Sequence, residues 1–195
     1  MHRLACQIAA YSANRGWIDN VECAICCYAF ERRLMQVVFL LVQVLIYAPT
    51  GKIPEAFIYI TVVFLFRRRI GGIHANSAWL CQVISTAVVL ISVFFLGPLV
   101  EKLPPKSICV FDTLLILGLF FIKPSYPIQV HFSPHDIEGN IRRKNILLIL
   151  LIIAQALTAE WFGMLFITYS SLGLLLVILA VLIGNICERE GKHAL

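Results

Sequence analysis

This sequence predicts an all-α integral membrane protein, on three observations. Apolar residues fill 60% of the 195 positions and charged residues only 14%, at a mean hydropathy of +0.87; ordinary soluble domains hold about 45–50% apolar residues. Those apolar residues gather into runs at 34–48, 53–66, 78–100, 107–122, 146–158 and 163–186. Lysine and arginine collect in alternate connections between the runs, thirteen against three, the asymmetry that separates cytoplasmic from external loops. Six transmembrane helices with both termini cytoplasmic follow, and adding or removing one helix would scramble the alternation.

Residues 2–33 precede the first run. Leu4, Ile8 and Tyr11, then Ile18, Val21, Ile25 and Tyr28, recur at spacings of three and four. This predicts one or two amphipathic helices on the membrane surface, broken at Asn14-Arg15-Gly16. Scattered charge and the lack of a continuous apolar core argue against a secretory signal peptide, so the first run is its own insertion signal. The second run, 53–66, is short against the roughly 20 residues that cross a bilayer and must borrow from its flanks or let arginines snorkel. The connection 123–145 holds Pro124, Pro127 and Pro134 and is expected to be a cytoplasmic loop. The whole is read as one membrane-embedded domain, 1–195, divided into an amphipathic region 1–33, a membrane region 34–186 and a cytoplasmic tail 187–195.

The net charge of +5 does not indicate nucleic acid, because the arginines form no stripe interleaved with exposed aromatics; topology explains them. Seven cysteines are an odd number, and only Cys109 falls near the outer face, so no disulfide framework is expected.

Between the second and third runs stands Arg67-Arg68-Arg69-Ile70-Gly71-Gly72-Ile73-His74-Ala75-Asn76-Ser77-Ala78-Trp79-Leu80-Cys81. A cysteine nucleophile needs a base and a rigid setting. On one uninterrupted helix His74 and Cys81 would share a face but stand about 10.5 Å apart along the axis, too far to hydrogen-bond. Gly71 and Gly72 permit backbone angles closed to other residues, and Asn76 or Ser77 can cap a helix that begins after His74. His74 then folds back from a loop over the first turns, toward Cys81. Between free side chains, moving a proton from cysteine to histidine costs about 2.7 kcal/mol. Positive surroundings must offset most of that. The arginines can contribute there, hold an acidic peptide, or serve only as a topology anchor.

At these residues the chain resembles the accessory gene regulator B family, membrane-embedded cysteine endopeptidases that process bacterial quorum-sensing propeptides. The resemblance rests on an arginine, then Gly71-Gly72-Ile73-His74-Ala75, with Cys81 seven residues after the histidine. It extends weakly to Tyr28-Ala29-Phe30-Glu31, where Ala29 replaces the family's glycine. The resemblance implies Cys81 as nucleophile and His74 as general base, with Arg67 and Gly72 in support. It further implies a bacterial cell-membrane location, an active site at the cytoplasmic face and a homodimer. The implied substrate is a short propeptide with a central cysteine or serine and an acidic C-terminal tail, which is cleaved through an acyl thioester and cyclised to a thiolactone or lactone.

Other residues support weaker alternatives. Cys23, Cys26 and Cys27 with His131 and His135 have zinc-like spacing, but the cysteines follow a helical pattern and Pro134 interrupts the histidine pair, so no metal or other cofactor is expected. Asp112 lies within the fourth run, where an acid is a functional candidate; its place near the outer end separates it from the dyad, and Glu160 reads as an outer-loop residue. A small transporter or a non-catalytic scaffold is the competing class. It would require polar residues converging in mid-membrane, whereas Gln43, Gln82, Ser85, Ser92, Gln155 and Ser170 are scattered along the sequence.

Overall fold

The computed structural model describes residues 2–17, 19, 23–71, 78–124 and 134–193. Its elements are helical throughout, with α-helices α1 (His2–Asn14), α2 (Cys23–Tyr47), α3 (Ile53–Ile70), α4 (Ala78–Ile91), α5 (Gly97–Glu101), α6 (Pro105–Phe121), α7 (Pro134–Phe162) and α8 (Met164–His193). Each of the six apolar runs falls on helix. Among the described residues, three segments are long and apolar enough to cross a membrane by length and composition: Cys23–Thr50, Trp79–Glu101 and Met164–Ile186. The chain divides into two compact units, Met1–Gly51 and Lys52–Leu195.

The first unit is a hairpin of α1 and α2. Gly16 ends α1 at φ 72°, where the Gly16 N–H donates to Ala13 O at 2.9 Å and the Trp17 N–H to Ser12 O at 3.0 Å. These bonds satisfy carbonyls that a helix end would otherwise orphan, and they need a left-handed residue at this position. Ala5, Ala9 and Cys27 are buried between the helices, with Cys6, Cys23, Cys26, Phe30 and Leu34 packed around them. The second amphipathic stretch is not separate, because α2 runs from Cys23 straight through the first apolar run. One pairing departs from the sequence expectation: Cys6 and Cys27 form a disulfide, with Cα atoms 4.6 Å apart. The expectation weighed the odd cysteine count and the redox compartment; two small alanines letting α1 approach α2 are what bring these thiols together.

In the second unit α8 packs against α3, α5, α6 and α7. Val62, Phe66 and Ile70 of α3, Leu115 and Leu119 of α6, Leu148 and Leu151 of α7, and Leu174, Val177 and Val181 of α8 form the core. Spacings of three and four put each set on one helix face. Gly173 brings α8 close to α3: a Cβ there would stand 3.1 Å from a Val62 methyl and 3.3 Å from Tyr59 O. Close packing of this kind, rather than the hydrophobic effect, holds helices together in lipid. The opposite faces remain apolar and uncovered, with Leu114, Phe121 and Leu157 at 62%, 77% and 70% exposure, as a lipid-facing surface requires.

Two local departures have clear causes. The third run widens into a π turn at Ser92–Leu96 between α4 and α5, where the Gly97 N–H reaches Ser92 O. Pro98 has no N–H and its ring crowds the carbonyl four residues earlier, so an α turn cannot pass through it undistorted. The connection 123–145 is helical from Pro134 onward, where α7 begins well before its apolar run. Proline is compatible with a first helical position.

Candidate active site

The site is built at the C-terminal end of α3. Arg67, Arg68 and Arg69 occupy its last turn, where unsatisfied carbonyls favour cations by about 0.3–1 kcal/mol each. Ile70 is fully buried and pins that turn to the core. Gly71 then leaves the helix at φ 81° and ψ −141°, its N–H donating to Arg67 O at 3.0 Å. Only glycine adopts that conformation readily, so one member of the double glycine has a defined backbone role.

Arg68 and Arg69 of α3 and Arg143 of α7 line a cavity of about 220 Å³ together with Phe64, Leu65, Ile146 and Leu147. Arg68 and Arg143 are exposed and Arg69 half-buried. A lining that mixes guanidiniums with apolar side chains has the chemistry to meet carboxylates, since guanidinium forks match them. Arg143 was not among the residues singled out from the sequence. Its only signal there was its place in the basic Arg142-Arg143-Lys144 cluster.

Lys144 beside it has a different role. Its side chain is buried, and Nζ donates to the carbonyls of Leu119, Phe120 and Ile122, each at 2.9 Å. It caps the C-terminus of α6 and offers nothing to a ligand.

Cys81 lies on the first described turn of α4 as a free, half-buried thiol, directly after exposed Trp79 and Leu80. His74, Gly72, and the capping candidates Asn76 and Ser77 lie outside the described residues, so the geometry of the His74–Cys81 pair is not defined here. Of the alternative zinc ligands, His131 also lies outside them.

Asp112 is buried, not presented to the outer interface. Its Oδ1 accepts from Gln155 Nε2 of α7 at 3.2 Å and lies 2.6 Å from Ser171 Oγ of α8. Gln155 also donates to Ser170 Oγ at 2.9 Å. The polar residues that look scattered along the sequence therefore do converge, in part, where α6, α7 and α8 meet. Ser92 adds a separate pair by donating to Tyr59 Oη at 3.0 Å.

Long apolar helices with exposed apolar faces define an all-α membrane protein. It belongs to the accessory gene regulator B family, whose model matches residues 5–186. No curated protein and no solved structure matches the chain. Membership fits a role in processing autoinducer propeptides for quorum sensing, and propeptides are what the family acts on.

Proposed function

We propose that this protein is a membrane-embedded cysteine endopeptidase that cleaves and cyclises a short autoinducer propeptide. Six membrane spans place both termini and the site at the cytoplasmic face. Cys81 is the nucleophile and His74 the general base; Arg67, Gly71 and Gly72 support the loop between them. The acidic tail of the propeptide lies along Arg68, Arg69 and Arg143.

In the first step the Cys81 thiolate attacks the scissile carbonyl, and the proton held by His74 passes to the departing amine of the tail. The rest of the peptide remains as an acyl thioester. The peptide's own thiol or hydroxyl then attacks that carbonyl, its proton returns to Cys81, and the thiolactone or lactone leaves. Thioester exchange is nearly isoenergetic, so ring closure needs little driving force where water is excluded. A homodimer is part of this reading.

The groove between Arg68, Arg69 and Arg143 is the observation that carries it, because an acidic tail needs cations placed on a fixed scaffold. The test is co-expression with a candidate propeptide, following tail release by mass spectrometry. Cys81→Ala and His74→Ala should each lower release by about 10³-fold or more. Release by both variants at the wild-type rate would rule out the dyad. Arg67→Glu, Arg68→Glu and Arg69→Glu together should impair cleavage while the protein stays in the membrane; loss of the protein would assign the arginines to topology alone.

A second reading, a small transporter, draws on the Asp112–Gln155–Ser171 cluster. It predicts that Cys81→Ala exports pre-cleaved peptide normally and that Asp112→Ala does not, whereas the peptidase reading expects no export that depends on Asp112.

A further inference from the structure

The first unit concentrates donor atoms that the peptidase chemistry does not use. His2 and Cys6 stand four residues apart on α1, and Cys27 and Glu31 four apart on α2, so each pair shares a helix face. His2 Nε2 lies 3.7 Å from Cys6 Sγ, and His2 Nδ1 lies 2.9 Å from Glu31 Oε2. The ligand atoms of His2, Cys6 and Cys27 all fall within 4.8 Å of one another. Cys27 is buried and Cys6 half-buried, while His2 is exposed.

A disulfide between Cys6 and Cys27 explains the two sulfurs but not the imidazole and carboxylate arranged behind them. An exposed His–Glu pair contributes little to stability. Its effect is on the tautomer. With Nδ1–H donated to Glu31, the Nε2 lone pair is left facing the sulfurs, the orientation a carboxylate imposes on a metal-bound histidine.

We propose that His2, Cys6 and Cys27 are the ligands of a zinc site in the reduced protein, with Glu31 orienting His2 and a fourth position open to solvent. The proposal takes from the functional reading only its cytoplasmic N-terminus, where thiols are kept reduced and clustered cysteines more often hold metal than disulfides. Tetrahedral zinc with these donors has ligand–ligand edges of about 3.5–3.8 Å, so Nε2 and the Cys6 sulfur already stand at the required separation. The two sulfurs must part, and the Cys27 sulfur, within 4.8 Å of the imidazole nitrogen, must settle at the same edge length. A low-molecular-weight dithiol reduces the Cys6–Cys27 bond, supplying two electrons and two protons and becoming a disulfide itself. Zinc then displaces both thiol protons to solvent and binds two thiolates. The set differs from the Cys23, Cys26, Cys27, His131 and His135 spacing suggested by the sequence; it shares only Cys27 and recruits α1.

The test uses the full chain in detergent, reduced, loaded anaerobically with zinc and desalted, with metal counted by mass spectrometry. Cobalt substitution reports thiolate ligation through its near-ultraviolet charge-transfer band. About one zinc per chain is expected, retained in Cys81→Ala and lost from Cys6→Ser and Cys27→Ser. Glu31→Gln should keep the site but weaken it by about 10–100-fold, and because it leaves both cysteines in place it reports on the site even where a cysteine variant unfolds. Helix content by circular dichroism accompanies each variant. Wild type binding well under one zinc, Cys6→Ser binding as much as wild type, or equal loss in Cys81→Ala would each overturn the proposal. None of these outcomes depends on whether the protein cleaves a peptide.

Discussion

The second unit keeps polar groups in two places that behave in opposite ways. Around Asp112, the carboxylate, an amide and two hydroxyls from three helices satisfy one another in the interior. At the end of α3, Arg68, Arg69 and Arg143 line an open groove. In lipid an unsatisfied polar group costs several kcal/mol, so the interior cluster must close on itself and acts as structure. Arg68 and Arg143 are exposed there, so their guanidiniums can reach a ligand. Lys144 sharpens the contrast, since it adjoins Arg143 in sequence yet is turned inward and consumed by three carbonyls. Adjacent basic residues thus divide between holding the fold and presenting charge.

The largest effect should come from Lys144→Met. The variant leaves the last carbonyls of α6 without a donor, and hydrogen bonds to a charged group contribute about 1.5–3 kcal/mol each. Non-additivity brings the expected loss to about 3–5 kcal/mol, typical of breaking a buried charged contact. It should appear as a sharply lower unfolding temperature in detergent. Were Lys144 a ligand-binding cation like its neighbour, the variant would lose peptide affinity and keep its stability.

Next comes Asp112. Asp112→Ala removes two hydrogen bonds, while Gln155 keeps Ser170 Oγ and Ser171 keeps the Ile167 carbonyl as partners; at about 0.5–1.5 kcal/mol per bond it should cost about 1–3 kcal/mol. Asp112→Asn keeps an accepting oxygen and should cost less than about 1 kcal/mol on the same scale. Thermal unfolding of the pair checks this: an equally damaging Asn variant would mean that the cluster needs the charge itself.

How much of this was legible in the sequence follows the same division. The apolar runs were, because lipid demands long uninterrupted stretches, and so was the stop at Gly16, because the left-handed turn there calls for glycine. The groove was half legible: Arg67 to Arg69 announce themselves as a triplet, but Arg143 joins them only because α7 packs against α3. Convergence on Asp112 was missed, since Gln155 and Ser171 stand 43 and 59 residues away and no local pattern marks a meeting of three helices. The Cys6–Cys27 pairing was missed for the same reason, the partners standing 21 residues apart.

The smallest stability effect, and the most informative about function, should come from the groove. Arg68→Ala and Arg143→Ala remove exposed side chains, so each should change unfolding free energy by no more than about 0.5 kcal/mol. Their contribution is to binding. An exposed ion pair is worth about 0.2–1 kcal/mol, so each variant should weaken an acidic peptide by about 1.4–5-fold, and the double variant by roughly the product. The loss should shrink as salt rises from 0.05 to 0.5 M, because screening shortens the reach of exposed charges to a few ångströms. Fluorescence anisotropy with a labelled acidic peptide, and a neutral one of the same length, measures both. Equal weakening of the two peptides would assign the groove to its apolar lining of Phe64, Leu65, Ile146 and Leu147. In that case the arginines would belong, like Lys144, to the fold.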